Sequence, residues 1–224
     1  STPLYSSAAS DVYKRQGMST PVTVIDIGIG NLSSVLKALK KAGATPTLTS
    51  DPEQILQASK LILPGVGAFG AGSEALQKLQ LIQPIRTAVL EKHIPILGFC
   101  MGMQLFATTG YENGSHPGLD LIQSEVRMLD PHMCPVLPHM GWNNLESTAG
   151  NLLFSGLGPN PHFYFVHSFH MTQIATPATV NMCRYGDQLV VAAIAHQNIY
   201  GTQFHPEKSQ SNGISALKNF IDHA

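Results

Sequence analysis

The chain has 224 residues, with 13 Lys and Arg against 14 Asp and Glu, a formal net charge of -1 and 43% hydrophobic residues. That length supports one sizeable α/β domain with a single core, and the balanced charge carries no electrostatic footprint for nucleic acid. No run approaches the roughly 18 apolar residues of a membrane span, and the 3 cysteines include no Cys-x-x-Cys pair, which argues against a disulfide framework and for the reducing cytoplasm.

Residues 1–17 are Ser/Ala-rich, carry Lys14-Arg15 and show neither a regular apolar period nor the apolar core of a signal peptide. They are expected to be a non-native or disordered leader, with residues 18–224 forming the working domain. Residues 22–27 read as a buried first strand, followed by a turn at Gly28-Ile29-Gly30-Asn31. Residues 32–41 have helical period and stop at Gly43. A second strand spans 46–49. Asp51-Pro52 opens a short helix, with Asp51 as N-cap and Gln54 completing a capping-box pattern. Residues 60–63 form a third strand that runs into a Pro-Gly loop. Ser73 is expected to cap the next helix, and another helical stretch covers 85–92. The strand at 94–99 leads directly into Cys100. Up to this point strands and helices alternate, the pattern of parallel strands with crossover helices. After about residue 120, strands at 121–129, 163–169, 181–184, 190–195 and 201–204 follow with short connections, and a helix at 213–222 closes the chain.

Cys100 lies in Gly98-Phe99-Cys100-Met101-Gly102-Met103-Gln104, between an apolar strand and a helix-like segment at 103–107. Strand, Gly-x-Cys-x-Gly turn and helix are the sulfur version of a nucleophile elbow. The glycines permit a tight turn, and the helix N-terminus favours the nucleophilic thiolate. A lone cysteine is usually an inert core residue; the flanking glycines and the strand-turn-helix context distinguish this one. A thiolate needs a base and a group to orient that base. Tyr200-Gly201-Thr202-Gln203-Phe204-His205-Pro206-Glu207 supplies both, if this strand runs beside the one ending at Cys100. Acyl transfer also needs donors for the developing oxyanion. The Met101 N–H is one, and the Pro64-Gly65-Val66-Gly67 loop is positioned to give a second. Ten histidines include no His-Glu-x-x-His spacing, and no metal site is expected. Gly28-Ile29-Gly30-Asn31-Leu32-Ser33 is half of a dinucleotide fingerprint without its third glycine, and Asp51 is better explained as a helix cap.

Gly-x-Cys-x-Gly-x-Gln followed by His-Pro-Glu resembles the class I, or triad, glutamine amidotransferases, and the likeness runs from about residue 18 to the end. Four stretches resemble the members of that family that serve a cyclase in histidine biosynthesis. They are Pro64-Gly65-Val66-Gly67, Pro138-His139-Met140-Gly141-Trp142-Asn143, Tyr164-Phe165-Val166-His167-Ser168 and His205-Pro206-Glu207-Lys208-Ser209. Met101 stands where the family more often has Leu. The resemblance implies one α/β domain with a mixed, mostly parallel central sheet flanked by helices. It implies glutamine as substrate, no cofactor, and a heterodimer with a (β/α)8 cyclase subunit that receives ammonia through a channel. By the same likeness Cys100, His205 and Glu207 form a catalytic triad. Val66 and Gly67 join Met101 in the oxyanion hole. Gln104, His167 and Ser168 hold glutamine, and Asn31, Trp142 and Lys208 face the partner. Three other readings stay open: another triad glutaminase such as the pyridoxal phosphate synthase subunit, a stand-alone γ-glutamyl cysteine hydrolase, and a non-catalytic subunit that kept the fold.

Overall fold

The computed structural model describes residues 19–224; the leader expected at 1–17 lies outside them. The strands are β1 (Thr20–Ile25), β2 (Ala44–Thr49), β3 (Leu61–Leu63), β4 (Ile96–Phe99), β5 (Thr109–Gly110), β6 (His116–Pro117) and β7 (Glu125–Met128). After them come β8 (His139–Asn144), β9 (His162–His167), β10 (Phe169–Thr172), β11 (Thr179–Tyr185), β12 (Gln188–His196) and β13 (Ile199–Thr202). The helices are α1 (Leu32–Lys41), α2 (Pro52–Leu56), α3 (Phe69–Lys78), α4 (Ile82–Arg86), α5 (Met101–Gln104) and α6 (Gln210–His223).

Seven strands form the central sheet in the order β11-β12-β13-β4-β3-β1-β2. From β13 to β2 all neighbours are parallel, and β12 and β11 add antiparallel strands at one edge. Parallel strands are covered on both faces, so their residues are apolar on both sides. Val24, Leu97 and Phe99 pack into one core with Leu39 of α1 and Leu217 and Phe220 of α6. Ile25, Leu61 and Ile96 pack into a second core with Phe69, Ile85 and Val89 on the opposite face. Two smaller sheets, β10-β7-β5-β6 and β8-β9, stand beside this frame.

Local chemistry sets most boundaries. Asn31 caps α1 by accepting from Ser34 N at 3.3 Å, and Asp51 caps α2 by accepting from Glu53 N at 2.9 Å; each such cap is worth about 1 kcal/mol. The expected reciprocal bond from Gln54 does not form, because Thr49 Oγ1 already accepts from Asp51 N. Ser73 is not a cap. The third helix starts four residues earlier, at Phe69, and Ser73 is buried inside it with its hydroxyl donating to Pro117 O at 2.6 Å. The stretch expected as one helix over 85–92 is the end of α4 followed by a π turn at Thr87–Glu91. The strand expected over 163–169 is two strands in two different sheets, broken at Ser168.

Candidate active site

The strand β4 delivers Cys100 in a conformation that few residues adopt, φ 50° and ψ -114°. Such backbone strain is held only where the surroundings over-determine it. Here Cys100 N donates to Thr202 O at 2.7 Å, and Cys100 O accepts from Gln104 N at 3.1 Å. The glycines flanking it are required by close approach. A Cβ on Gly102 would lie 1.9 Å from Leu63 O, and one on Gly98 would lie 2.8 Å from the Gly102 carbonyl. The turn is therefore wedged against β3, with the Met101 N–H as the first donor of α5, lacking an intrahelical acceptor. Cys100 as a whole is buried, at 5% exposure. Its thiol points to Val166 O at 3.8 Å, and Gln203 Nε2 donates to it at 3.5 Å.

The parallel pairing of β13 with β4 matches Thr202 to Phe99. The chain then continues through Gln203 and Phe204 to His205, which follows the strand by three residues. His205 N donates to Tyr164 O at 3.0 Å, and Ser209 Oγ donates to His205 O at 2.6 Å. The imidazole Nδ1 donates to Glu207 Oε1 at 2.7 Å, with both side chains buried. Burial is the largest single influence on this ring and would lower its pKa. The Cys100 sulfur and the Glu207 carboxylate together outweigh it and raise the pKa to about 9. The sulfur acts on the ring from beyond hydrogen-bond geometry, for Nε2 makes no hydrogen bond among the described residues, and neither does Glu207 Oε2.

A cavity of about 330 Å³ opens in front of the sulfur. Cys100 and His205 line it together with Val66, Gln104, Glu112 and Ser168. The far wall is tied down by side chains. Phe169 O accepts from His167 Nδ1 at 2.8 Å, so His167 Nε2 is left as an acceptor for His139 Nδ1 at 2.9 Å. His139 Nε2 in turn accepts from Asn143 Nδ2 at 3.0 Å. Each link needs a neutral imidazole. Burial, the main influence on both, lowers the pKa of His139 to about 4 and that of His167 to about 3.

Residues 23–224 match the family model described as glutamine amidotransferase class-I. The chain belongs to the class I glutamine amidotransferases. It is 43% identical over 201 residues to the imidazole glycerol phosphate synthase subunit HisH of Nostoc punctiforme, covering 89% of this chain and 94% of that one. The protein of the same description from Salinibacter ruber is 43% identical over 203 residues, covering 88% and 92%. The structure of PurLQS from Thermotoga maritima superposes with a TM-score of 0.68 at 17% identity, over 91% of this chain and 98% of that one, a likeness of fold.

In this amidotransferase the residues picked out by sequence fall into two groups. Cys100, Gln104, Val66, Gly67, His167, Ser168 and His205 meet at the cavity, with Glu207 directly behind His205. Asn31, Trp142 and Lys208 lie outside it on the surface. Trp142 is 46% exposed, packs edge-on against His162 and Tyr164, and neighbours Met140, itself 60% exposed. Glu112 was not picked out by its sequence: it sits in a Tyr-Glu-Asn-Gly loop with no distinguishing spacing. The fold carries its carboxylate to the cavity, where Oε2 accepts from Phe69 N at 2.9 Å at the start of α3. No helix among the described residues is long and apolar enough to cross a membrane.

Proposed function

We propose that this chain is the glutaminase subunit of an imidazole glycerol phosphate synthase, releasing ammonia from glutamine for a (β/α)8 cyclase subunit. The observation that carries the reading is a strained cysteine and a buried His205–Glu207 pair brought together at one cavity sized for an amino acid. The 43% identity to HisH subunits over nearly their whole length supports the choice of synthase.

The Cys100 thiolate attacks the carboxamide carbon of glutamine. The carbonyl oxygen becomes an oxyanion beside the N–H groups of Met101 and the Val66–Gly67 loop. His205, protonated below about pH 9, gives its Nε2 proton to the departing nitrogen, and the C–N bond breaks to release ammonia. The resulting thioester is hydrolysed by a water that the now neutral His205 deprotonates, giving glutamate and regenerating the thiolate. Glu207 holds the ring and stabilises the imidazolium. Glu112 supplies the negative charge, and Gln104 an amide oxygen, that suit the substrate's α-ammonium; Ser168 and backbone at His167 complete the pocket. The hydrolytic half of the synthase belongs to this chain, and the lyase half to the cyclase.

Asn31, Trp142 and Lys208 form the partner-facing surface, with residues 18–224 acting as one domain. Three free cysteines suit a cytoplasmic complex. Glutamate release is the deciding measurement, made on the chain alone, with a cyclase subunit, and with the cyclase plus a substrate-like ligand. The expected result is near-silence alone and strong turnover only in the last state. Full activity of the isolated chain would instead identify a stand-alone hydrolase.

A further inference from the structure

A backbone carbonyl only accepts hydrogen bonds, and Phe169 O lies 2.9 Å from Gln104 Nε2. That contact fixes the sense of the Gln104 amide, with its NH2 toward the carbonyl and its oxygen left for the cavity. The same NH2 lies 3.1 Å from one amide atom of Gln203, which must therefore be oxygen. Gln203 then has its own NH2 on the other side, 3.5 Å from Cys100 Sγ. Nothing in this chain of donors is free to reverse without bringing two acceptors together. Gln203 is fully buried, at 0% exposure, so no water competes for its amide. The backbone holds it in place from β12, since Gln203 N donates to Ala192 O at 2.8 Å.

We propose that Gln203, two residues before His205 and outside the triad, is a catalytic residue that acts on the sulfur itself. Its side-chain N–H stabilises the thiolate before attack and again when the thioester collapses and sulfur regains its negative charge. Val166 O does the opposite: as an acceptor it favours the thiol and repels the thiolate. Gln203 is the side chain among the described residues that donates to Sγ, and a donor to a charged acceptor is stronger than one between neutral groups. Through its amide oxygen it also accepts from Gln104, backing the sense that Phe169 O already sets. One buried residue outside the cavity lining thus touches the sulfur and the side chain beside the substrate.

This inference rests on Cys100 being the nucleophile, and the test separates the two. Alkylation of Cys100 by iodoacetamide at fixed pH, read by mass spectrometry of its peptide, is compared among the parent chain, Gln203→Met and the double variant Gln104→Leu/Gln203→Leu. The double variant removes both members of the buried pair and leaves no orphaned amide, so it carries the test if Gln203→Met does not fold. Alkylation is expected to slow by about tenfold or more in each folded variant, the size of one lost hydrogen bond to a charged group. Glutamate formation by Gln203→Met in complex with the cyclase is expected to fall through kcat, with little change in KM. A folded variant that is alkylated at the parental rate would overturn the role of Gln203. Glutamate formation by Cys100→Ala would overturn the nucleophile itself.

Discussion

On one side of the cavity, Cys100 is fixed by main chain: a wedge of glycines against β3, and backbone bonds to β13. On the facing side, the β8–β9 ladder carries Val166 and His167, and the His167 ring is fixed by side chains reaching in from β8. The first wall needs only that two glycines stay small. The second needs three polar groups, Asn143, His139 and His167, all neutral and all oriented in one sense. Each wall is vulnerable in its own way: the cysteine wall to added volume, the facing wall to protons and to lost partners.

The largest effect on the first wall is expected from its proposed nucleophile. Cys100→Ala is expected to lower glutamate formation by the complex on the order of 10⁴-fold or more, while size-exclusion chromatography still shows assembly with the cyclase. Next is the wedge. Gly102→Ala places a methyl 1.9 Å from Leu63 O, and should cost about 3 kcal/mol or more in urea unfolding. A cost near zero would mean that the elbow is not held by that contact.

The second wall is sharpened by pH. The depressed pKa values of His139 and His167, about 4 and 3, lie below the ordinary 6.5. Their stability is therefore fully present above about pH 6.5 and is lost as pH falls toward those values. His205 runs the other way: its stability is present below the ordinary value and is lost as pH rises through about 9. A thermal midpoint that declines on both sides of pH 6.5 is the expected profile. His139→Phe should cost about 1–3 kcal/mol by leaving the buried His167 Nε2 without its donor, and should flatten the acid side of that profile. An unchanged acid limb would show that the buried histidines do not govern it. The smallest effect on the chain alone belongs to Trp142→Ala, within about 0.5 kcal/mol because the ring is half exposed. Affinity for the cyclase, read by calorimetry, should nevertheless fall about tenfold or more; unaltered affinity would remove Trp142 from the interface.

The same contrast explains what was legible in the sequence. The cysteine wall is local: strand, Gly-x-Cys-x-Gly and helix lie within a dozen residues, so their periodicity and glycine spacing point to it directly. The parallel order of β1 to β4 followed from alternating strands and helices, and His205 from its motif. The facing wall depends on pairings between residues far apart in sequence. The break at Ser168 has no sequence signal because 163–169 contains neither glycine nor proline, and only the sheet pairing of β10 with β7 divides it. Glu112 and Gln203 carry no spacing signal; the fold alone brings one to the cavity and the other to the sulfur. Ser73 misled because a hydroxyl near a helix start usually caps it, whereas here Pro117 O claims that hydroxyl from another strand.

Phe169 O receives both Gln104 and His167, so the two walls meet at a single main-chain oxygen. That oxygen is not encoded by the side chain that bears it, since every amino acid brings the same carbonyl to position 169. A point substitution there can alter packing but cannot delete the acceptor. Inheritable damage to this junction has to come by another route, through an inserted or deleted residue that slides β10 along β7. Its Phe169-to-Met128 pairing is thus where the chain tolerates a change of letter and not a change of frame along the strand.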